Sequence, residues 1–546
     1  MNENFEYKKV VIVGGGSSGW MTAAALSKLC PHLEITLIES KKIGTVGVGE
    51  STLGHINRYL SLMGLKDEDW MSACNATYKN SIRFTNFREG KGEAFEYPFI
   101  SGYDFTDKHN GLQSWGEVAT MYPDEYPPET FAEFYAPVNT LLAKHNKETR
   151  NENGELRHYD FATNTAYHMD AGLFGEWLKN NIAIPNGVKH EEGEMHSFKK
   201  DGKGNIFQVL TTDGRTFNAD LWIDCTGFRS LLLEEWMGSF FVPFEDKLPN
   251  DMAWACRIPY IDREKEMHNV TDCHALNNGW VWNIPLWNRI GTGYVFSTRF
   301  CTPMEAQKEF RAHLAKTDPK RAEEAEMFQV KIKHGYRHRA WKLNVVGIGL
   351  SYGFVEPLES TGLLTTHENI IRLVDVLNRR NGFVSRTEKE AFNLTAQLEV
   401  CGFRDFVASH YALSKRVDTP YWRWATQIND FFPLQFNDFI PSMHTASQAI
   451  AAVSANHYNE SAQGLAFIMA GMGIKNVSTP AYVTNQISST GTSAPLRLTT
   501  DKMSQIDDTK RKQEQYIEWL TDYIEKLPSH YEYLRDNIYG GKDEYL

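Results

Sequence analysis

Residues 9 to 39 constrain this chain more than any other stretch. Lys9 to Val13 is a short apolar run of β type, Gly14-Gly15-Gly16-Ser17-Ser18-Gly19 follows at once, and an Ala-rich helical pattern then runs to Cys30-Pro31. A second apolar run, Leu33 to Glu39, completes the order strand, glycine turn, helix, strand. A G-x-G-x-x-G match alone is weak, but in this context it marks a dinucleotide-binding βαβ unit. Gly14 permits the tight turn, Gly16 lets a pyrophosphate approach the backbone, and Gly19 lets the helix pack closely on the strand. The helix start at Ser17 offers N–H groups and a positive dipole to phosphate. Glu39 ends the second strand, 20 residues after Gly19, where a carboxylate accepts hydrogen bonds from a ribose hydroxyl. The motif by itself does not separate NAD from FAD.

Composition limits what such a unit serves. Across 546 residues, Lys+Arg number 57 against Asp+Glu 69, a net charge of −12. That balance lacks the basic surface a phosphate-backbone binder needs, so nucleic acid is excluded as a partner. No run approaches the ~20 apolar residues that cross a bilayer. The polar segment Met1 to Lys9 leads straight into the first strand, so no signal sequence, no membrane association and a cytoplasmic location are expected. The seven cysteines, Cys30, Cys74, Cys225, Cys256, Cys273, Cys301 and Cys401, form no C-x-x-C pair. Reduced buried thiols are expected, with no disulfide and no metal.

Further along, Thr45 to Thr52 is a glycine-punctuated loop, Asp67 to about Thr77 reads as a helix, and Ile82 to Phe87 as a strand, with Lys79 at their junction. Residues 90–155, rich in aromatics, Pro, Asp and Gly, read as an excursion from the sheet. Met195 to Phe217 is hairpin-like, and Asp251 to Pro259, Gly279 to Pro285 and Ile290 to Ser297 read as antiparallel strands of a second sheet. Asp220 to Gly227 and Val346 to Gly362 are buried strands with glycine turns far along the chain, the extra contacts that a flavin's extended body needs. No second fingerprint marks an NAD(P)H domain, so FAD is favoured and its reduction falls to another protein. A helix runs from about Leu363 to Asn378, and the chain beyond Arg386 is mainly helical, with a Ser/Thr/Gly linker at Ile487 to Ala494 and a last amphipathic helix near Asp507 to Lys526. The expected architecture is α/β: an FAD-binding Rossmann-like body with an additional antiparallel sheet, residues 1–375, with insertions at about 90–155 and 240–340. A mainly helical substrate-side part, 376–546, packs on it.

Gly279-Trp280-Val281-Trp282-Asn283-Ile284-Pro285 carries the W-x-W-x-I-P signature of flavin-dependent halogenases, and the chain resembles the tryptophan-halogenase class of that family. Supporting matches are Gly14 to Gly19, Gly47-Val48-Gly49-Glu50-Ser51-Thr52, Lys79 before an apolar strand, Asp224 to Ser230, Phe354 to Gly362, and Asp418 to Arg423. The resemblance spans about residues 8 to 425 and is loose over 90–155 and beyond 425.

The resemblance implies that reduced FAD reacts with O2 to a hydroperoxide, that halide (chloride, bromide or iodide) attacks it, and that the hypohalous acid formed travels to an aromatic carbon. A hydroperoxyflavin hydroxylates an electron-rich arene lying against it, so substrate and flavin must be kept apart. Trp280 and Trp282 project from one face of a strand and, with Ile284 and Pro285, are the expected compartment wall. Lys79 is the expected catalytic amine, acting either as hydrogen-bond donor to hypohalous acid or, with a depressed pKa, as a haloamine. Glu359 is expected to stabilise and deprotonate the ring intermediate, and Thr361 and Gly362 to hold the halide through helix-start N–H groups. Gly47, Val48, Gly49, Glu50 and Gly349 join Gly14, Gly16, Ser17, Gly19 and Glu39 as expected cofactor contacts. The residues for gripping free tryptophan have no match after 425, so the expected substrate is a small aromatic, indole or phenol-like. Expected partners are a separate flavin reductase and further copies of the chain. His168, His334, His338, His367 and His410 read as packing or surface residues. Two rivals stand beside the halogenase: a flavin monooxygenase that hydroxylates directly, and a catalytically silent flavin-binding protein.

Overall fold

The computed structural model describes residues 4–40, 49–99, 111–156, 159–428, 459–474 and 500–541. The strand Lys9–Val13 is buried along all but its first residue and sits inside a six-stranded sheet. In spatial order its strands are Trp341–Lys342, Val345–Gly347, Leu221–Asp224, Lys9–Val13, Glu34–Glu39 and Lys189–Glu192. All neighbours are parallel except the edge pair Trp341–Lys342 with Val345–Gly347. Parallel sheets of this kind are covered on both faces, which explains the near-continuous Val, Ile and Leu runs. The helix Ser17–Leu29 buries Trp20 to Leu26 against one side; Leu231, Leu232, Leu233 and Trp222 form a separate apolar cluster with Val11 and Val13. Met195–Lys200, Ile206–Thr211 and Thr216–Asn218 form an antiparallel meander of three strands rather than a hairpin of two.

The second sheet has seven strands, in the order Phe328–Lys331, Met252–Ile258, Ile290–Phe296, Gly279–Pro285, Val270–Ala275, Ser81–Thr85 and Ala94–Pro98. It is antiparallel except where Val270–Ala275 runs parallel to Ser81–Thr85. That exception was not legible, because it joins strands more than 180 residues apart. A smaller sheet of three strands, Glu50–Ser51, Ala166–Met169 and Thr77–Lys79, meets the seven-stranded one through Ser51 to Thr271 and Thr77 to the Pro285 carbonyl.

The reading of a helix from Asp67 to Thr77 needs correction. The helix is Asp67–Trp70, a single 3-10 turn covers Ser72–Cys74, and Asn75 then takes φ +50. Asn tolerates this left-handed conformation, which ends the helix and lets Thr77–Lys79 pair with Ala166–Met169. Lys79 is thus the last residue of a strand, not the junction of a helix with one.

The excursion at 90–155 supplies an edge strand of the second sheet, Ala94–Pro98, and the helices Gly111–Met121, Phe131–Tyr135 and Pro137–Lys144. It is tied to the long helix Thr500–Ile524 by Tyr122 donating to Asp507 at 2.6 Å and Gln513 donating to the Phe134 carbonyl at 2.8 Å. One further helix, His530–Asn537, follows the one read as last. The Ser/Thr/Gly linker at 487–494 lies outside the described residues. Among the described residues no helix is long and apolar enough to cross a membrane, and no group of three or more His, Cys, Asp or Glu side chains can hold a metal ion.

Candidate active site

Three chain turns meet at the carboxyl ends of the central parallel strands, where open α/β sheets bind ligands. Gly14 has φ +110, and a Cβ there would overlap the Cys225 carbonyl after the strand Leu221–Asp224. A Cβ on Gly19 would overlap the Gly14 carbonyl. Gly349, at φ +66, brings the turn after Val345–Gly347 against Ser18, whose Cβ would lie 2.9 Å from an added methyl. The helix Ser17–Leu29 has Gly16 at its N-cap and no side-chain cap, so its first-turn N–H groups are available to an anion. Ser17 spends its hydroxyl on the Ala171 carbonyl at 2.8 Å; what it offers a phosphate is its backbone N–H. Glu39 ends its strand against Gly15, with His190 Nε2 2.7 Å and Lys179 3.7 Å away. Gly15, which sequence reasoning passed over, is required there, because a methyl group would collide with the Glu39 side chain. These residues fit a dinucleotide such as FAD. Gly47 and Val48 lie outside the described residues; Gly49, at φ +109, packs on Ile284 and Leu286, and Glu50 pairs in register with Met169.

Lys79 is wholly buried. Its ammonium donates to the Thr52 carbonyl at 2.9 Å and to the Ser360 hydroxyl at 2.8 Å, and it lies 5.0 Å from the centre of the Phe99 ring. Burial pulls its pKa down to about 7, with Cys273 and Glu359 opposing. Ser360 is held at φ +57, a left-handed conformation that costs a non-glycine residue of order 1–3 kcal/mol. It falls between the 3-10 turn Pro357–Glu359 and the helix Thr361–Asn378.

Glu359 is fully buried, and burial raises its pKa, partly offset by His410 and Lys79. His410 Nε2 lies 2.6 Å from Glu359 Oε1, and its Nδ1 lies 3.0 Å from the Phe406 carbonyl. A carbonyl only accepts, so Nδ1 carries a proton. Nε2 is then the ring atom that faces the carboxylate. His410 had read as a packing residue; its partner comes from another element 51 residues away, and no local signal announces it. Thr361 and Gly362 occupy the first two positions of the helix Thr361–Asn378, and the buried Thr361 hydroxyl has no protein partner. A halide accepts hydrogen bonds from such groups, so the residues fit it.

Trp280 and Trp282 share a face of Gly279–Pro285, with ring centres 6.2 Å apart. Trp280 Nε1 donates to Glu356 at 3.3 Å, and Glu356 also accepts from Tyr411 and Asn250, each at 2.7 Å. Space for Trp282 exists only because position 293, on the neighbouring strand, is glycine: a Cβ there would overlap its six-membered ring. Ile284 packs against Gly49, and the Pro285 carbonyl accepts from Thr77 at 2.6 Å. The strand therefore touches the Gly49 loop and the short strand carrying Lys79.

The tryptophan halogenase family model matches residues 9–483. The tryptophan 6-halogenase SttH of Streptomyces toxytricini is 35% identical over 440 residues, covering 76% of this chain and 80% of its own length. The tryptophan 7-halogenase RebH of Lentzea aerocolonigenes is 35% identical over 426 residues, covering 76% and 78%. Among solved structures, the apo structure of VirX1 superposes with a TM-score of 0.86 at 50% identity, over 98% of this chain and 99% of that one. The crystal structure of SttH gives 0.77 at 31% identity, over 96% and 99%. Likeness this extensive, falling on a glycine cradle and a W-x-W-x-I-P strand already recognisable by themselves, makes the chain a member of the tryptophan halogenase family, flavin-dependent enzymes that use FADH2, oxygen and halide.

Proposed function

We propose that the protein halogenates a small electron-rich aromatic substrate, indole-like or phenol-like, using reduced FAD delivered by a separate flavin reductase. The observation that carries this reading is the Lys79 amine: wholly buried, held by Thr52 and Ser360, and with its pKa lowered to about 7. When bound, reduced flavin with oxygen supplies the oxidising equivalents that convert halide to hypohalous acid. Gly14, Gly16, Gly19 and the N–H groups from Ser17 onward would hold its pyrophosphate, and Glu39 its ribose. Gly49, Glu50 and Gly349 would line the remainder, while Thr361 and Gly362 would hold the halide.

Lys79 receives hypohalous acid on the far side of the Trp280 and Trp282 strand and orients its halogen toward the arene. Near pH 7 the amine is poised between its two protonation states, so it can either donate a hydrogen bond or bind the halogen. Glu359, with His410 beside it, stabilises the cationic ring formed on halogen attack and accepts the departing ring proton. Burial of both groups strengthens these interactions by excluding water. The mainly helical region after about residue 376 supplies His410 and closes the substrate side.

The test supplies reductase, FAD, oxygen and a panel of indoles and phenols, with each halide in turn, and identifies products by mass. A halogenated product that depends on halide and on Lys79 supports the reading. Hydroxylated product formed regardless of halide overturns it, as does retained FAD binding with no halogenated product across the panel.

A further inference from the structure

The register of the small three-stranded sheet sets Ser51 opposite His168 and His168 opposite Thr77. Lys79 follows Thr77 by two positions on the same strand, hence on the same face. Thr271 reaches this row from the second sheet. The result is a continuous buried file of side chains: Lys79 Nζ to Ser360 Oγ at 2.8 Å, Ser360 to Ser51 at 3.0 Å, Ser51 to Thr271 at 2.7 Å, Thr271 to His168 Nε2 at 2.8 Å, and His168 Nδ1 to Thr77 at 3.3 Å. It ends where Thr77 donates to the Pro285 carbonyl at 2.6 Å. All five side chains between Lys79 and Pro285 are buried.

That last contact fixes the direction of every other one. A carbonyl only accepts, so the single hydroxyl proton of Thr77 points at Pro285, and Thr77 must accept from His168 Nδ1–H. The imidazole at rest is neutral, since its burial, with Lys79 and His530 nearby, disfavours a charge; Nε2 is therefore bare and accepts from Thr271. Having spent its proton there, Thr271 accepts from Ser51, Ser51 accepts from Ser360, and Ser360 accepts from Lys79. No link has an alternative orientation while Thr77 stays on Pro285 and His168 is neutral.

We propose that Ser360, Ser51, Thr271 and His168 form a directed proton relay for the Lys79 amine, with Ser51, Thr271 and His168 as positioning residues. The inference rests on the reading of Lys79 as the reactive amine. A proton leaving Nζ goes to Ser360 Oγ as the Ser360 proton passes to Ser51, that of Ser51 to Thr271, and that of Thr271 to His168 Nε2. The amine becomes neutral, His168 becomes a cation that still donates to Thr77, and the Ser360, Ser51 and Thr271 hydroxyls reverse while Thr77 stays on Pro285; burial disfavours that cation, so it is short-lived and the proton returns. Return of the proton reverses each step; no electron pair leaves the file and no bond to carbon forms. The charged and titratable groups facing it are Cys273 and Glu359 beside Lys79, and Lys79 and His530 beside His168.

Thr271→Val keeps the shape of the side chain and removes its hydroxyl, Thr271→Ser restores the hydroxyl, and Ser51→Ala breaks the file one link earlier on another strand. Single-turnover halogenation of an indole is measured on either side of neutral pH and across H2O/D2O mixtures, with FAD affinity and thermal midpoint as controls. The relay predicts that Thr271→Val and Ser51→Ala each slow the halogenation step by roughly tenfold or more. They should leave FAD affinity unchanged and straighten a curved proton inventory, while Thr271→Ser recovers both rate and curvature. Should Thr271→Val fail to fold, Ser51→Ala against Thr271→Ser makes the same comparison. Broken-file variants with wild-type rate, pH profile and proton inventory, alongside an inactive Lys79→Met, overturn the relay alone. A fully active Lys79→Met overturns the underlying reading as well.

Discussion

His410 Nε2 and Glu359 Oε1 are 2.6 Å apart, with neither side chain exposed to solvent. Because Nδ1 of the same imidazole is committed to the Phe406 carbonyl, Nε2 is the ring atom that faces the carboxylate. Glu359→Gln removes the carboxylate but keeps its size, and should lower the halogenation rate by about 10²- to 10⁴-fold while FAD still binds. Rapid-quench measurement of product against time, with FAD titration as the control, checks both halves of that expectation.

A buried Lys79 carries a stability signature. Its pKa falls from 10.5 in the unfolded chain to about 7 in the fold, so the folded state resists protonation. The penalty is fully present below pH 7 and is relieved as pH rises from about 7 to 10.5. Lys79→Met, which has no charge to bury, should therefore lack this pH dependence. The stability of wild type relative to the variant should rise by roughly 3–5 kcal/mol across that window. Urea titrations at a series of pH values report the difference directly; parallel curves would refute a depressed pKa.

Glu356 gathers three donors, from Trp280, Tyr411 and Asn250. Glu356→Ala takes the acceptor from the buried Trp280 and Tyr411 donors and leaves Asn250 only the Tyr411 hydroxyl at 3.1 Å. A loss of about 2–5 kcal/mol in unfolding free energy is expected, together with a shift in Trp280 emission, measured by equilibrium denaturation and fluorescence.

Gly293→Ala should displace Trp282, since the new methyl occupies the space of its ring. Overpacking of this kind costs about 1–3 kcal/mol. If Trp282 is part of the wall, the variant should also release hypohalous acid or divert it into by-products, detectable with a chemical trap for free oxidant.

Gly14→Ala combines a clash against the Cys225 carbonyl with a backbone at φ +110. FAD affinity should fall by at least about tenfold, with a lower thermal midpoint. Calorimetric titration with FAD and a melting curve test the two effects separately.

The glycine fingerprint, the two large sheets and the W-x-W-x-I-P strand were legible because each is a local pattern: a turn that needs glycine, a period of two, a signature of adjacent residues. What escaped was non-local. His410 meets Glu359 across elements far apart in sequence, and His168 meets Thr271 and Ser51 through strand pairing that no single segment encodes. The helix read through Thr77 failed for the same reason, since pairing with Ala166–Met169 outweighed helical pattern in a segment too short to favour either state strongly. Gly15 and Gly293 were unremarkable in sequence because the atoms that require them belong to Glu39 and Trp282.

Ser51, Thr77 and His168 are brought abreast by a sheet of three short strands drawn from distant parts of the polypeptide. A lysine grafted at the matching place in another flavoprotein would arrive without that company. Transplanting the reactivity requires moving the whole patch of cloth, because the threads that hold the amine run crosswise to the chain.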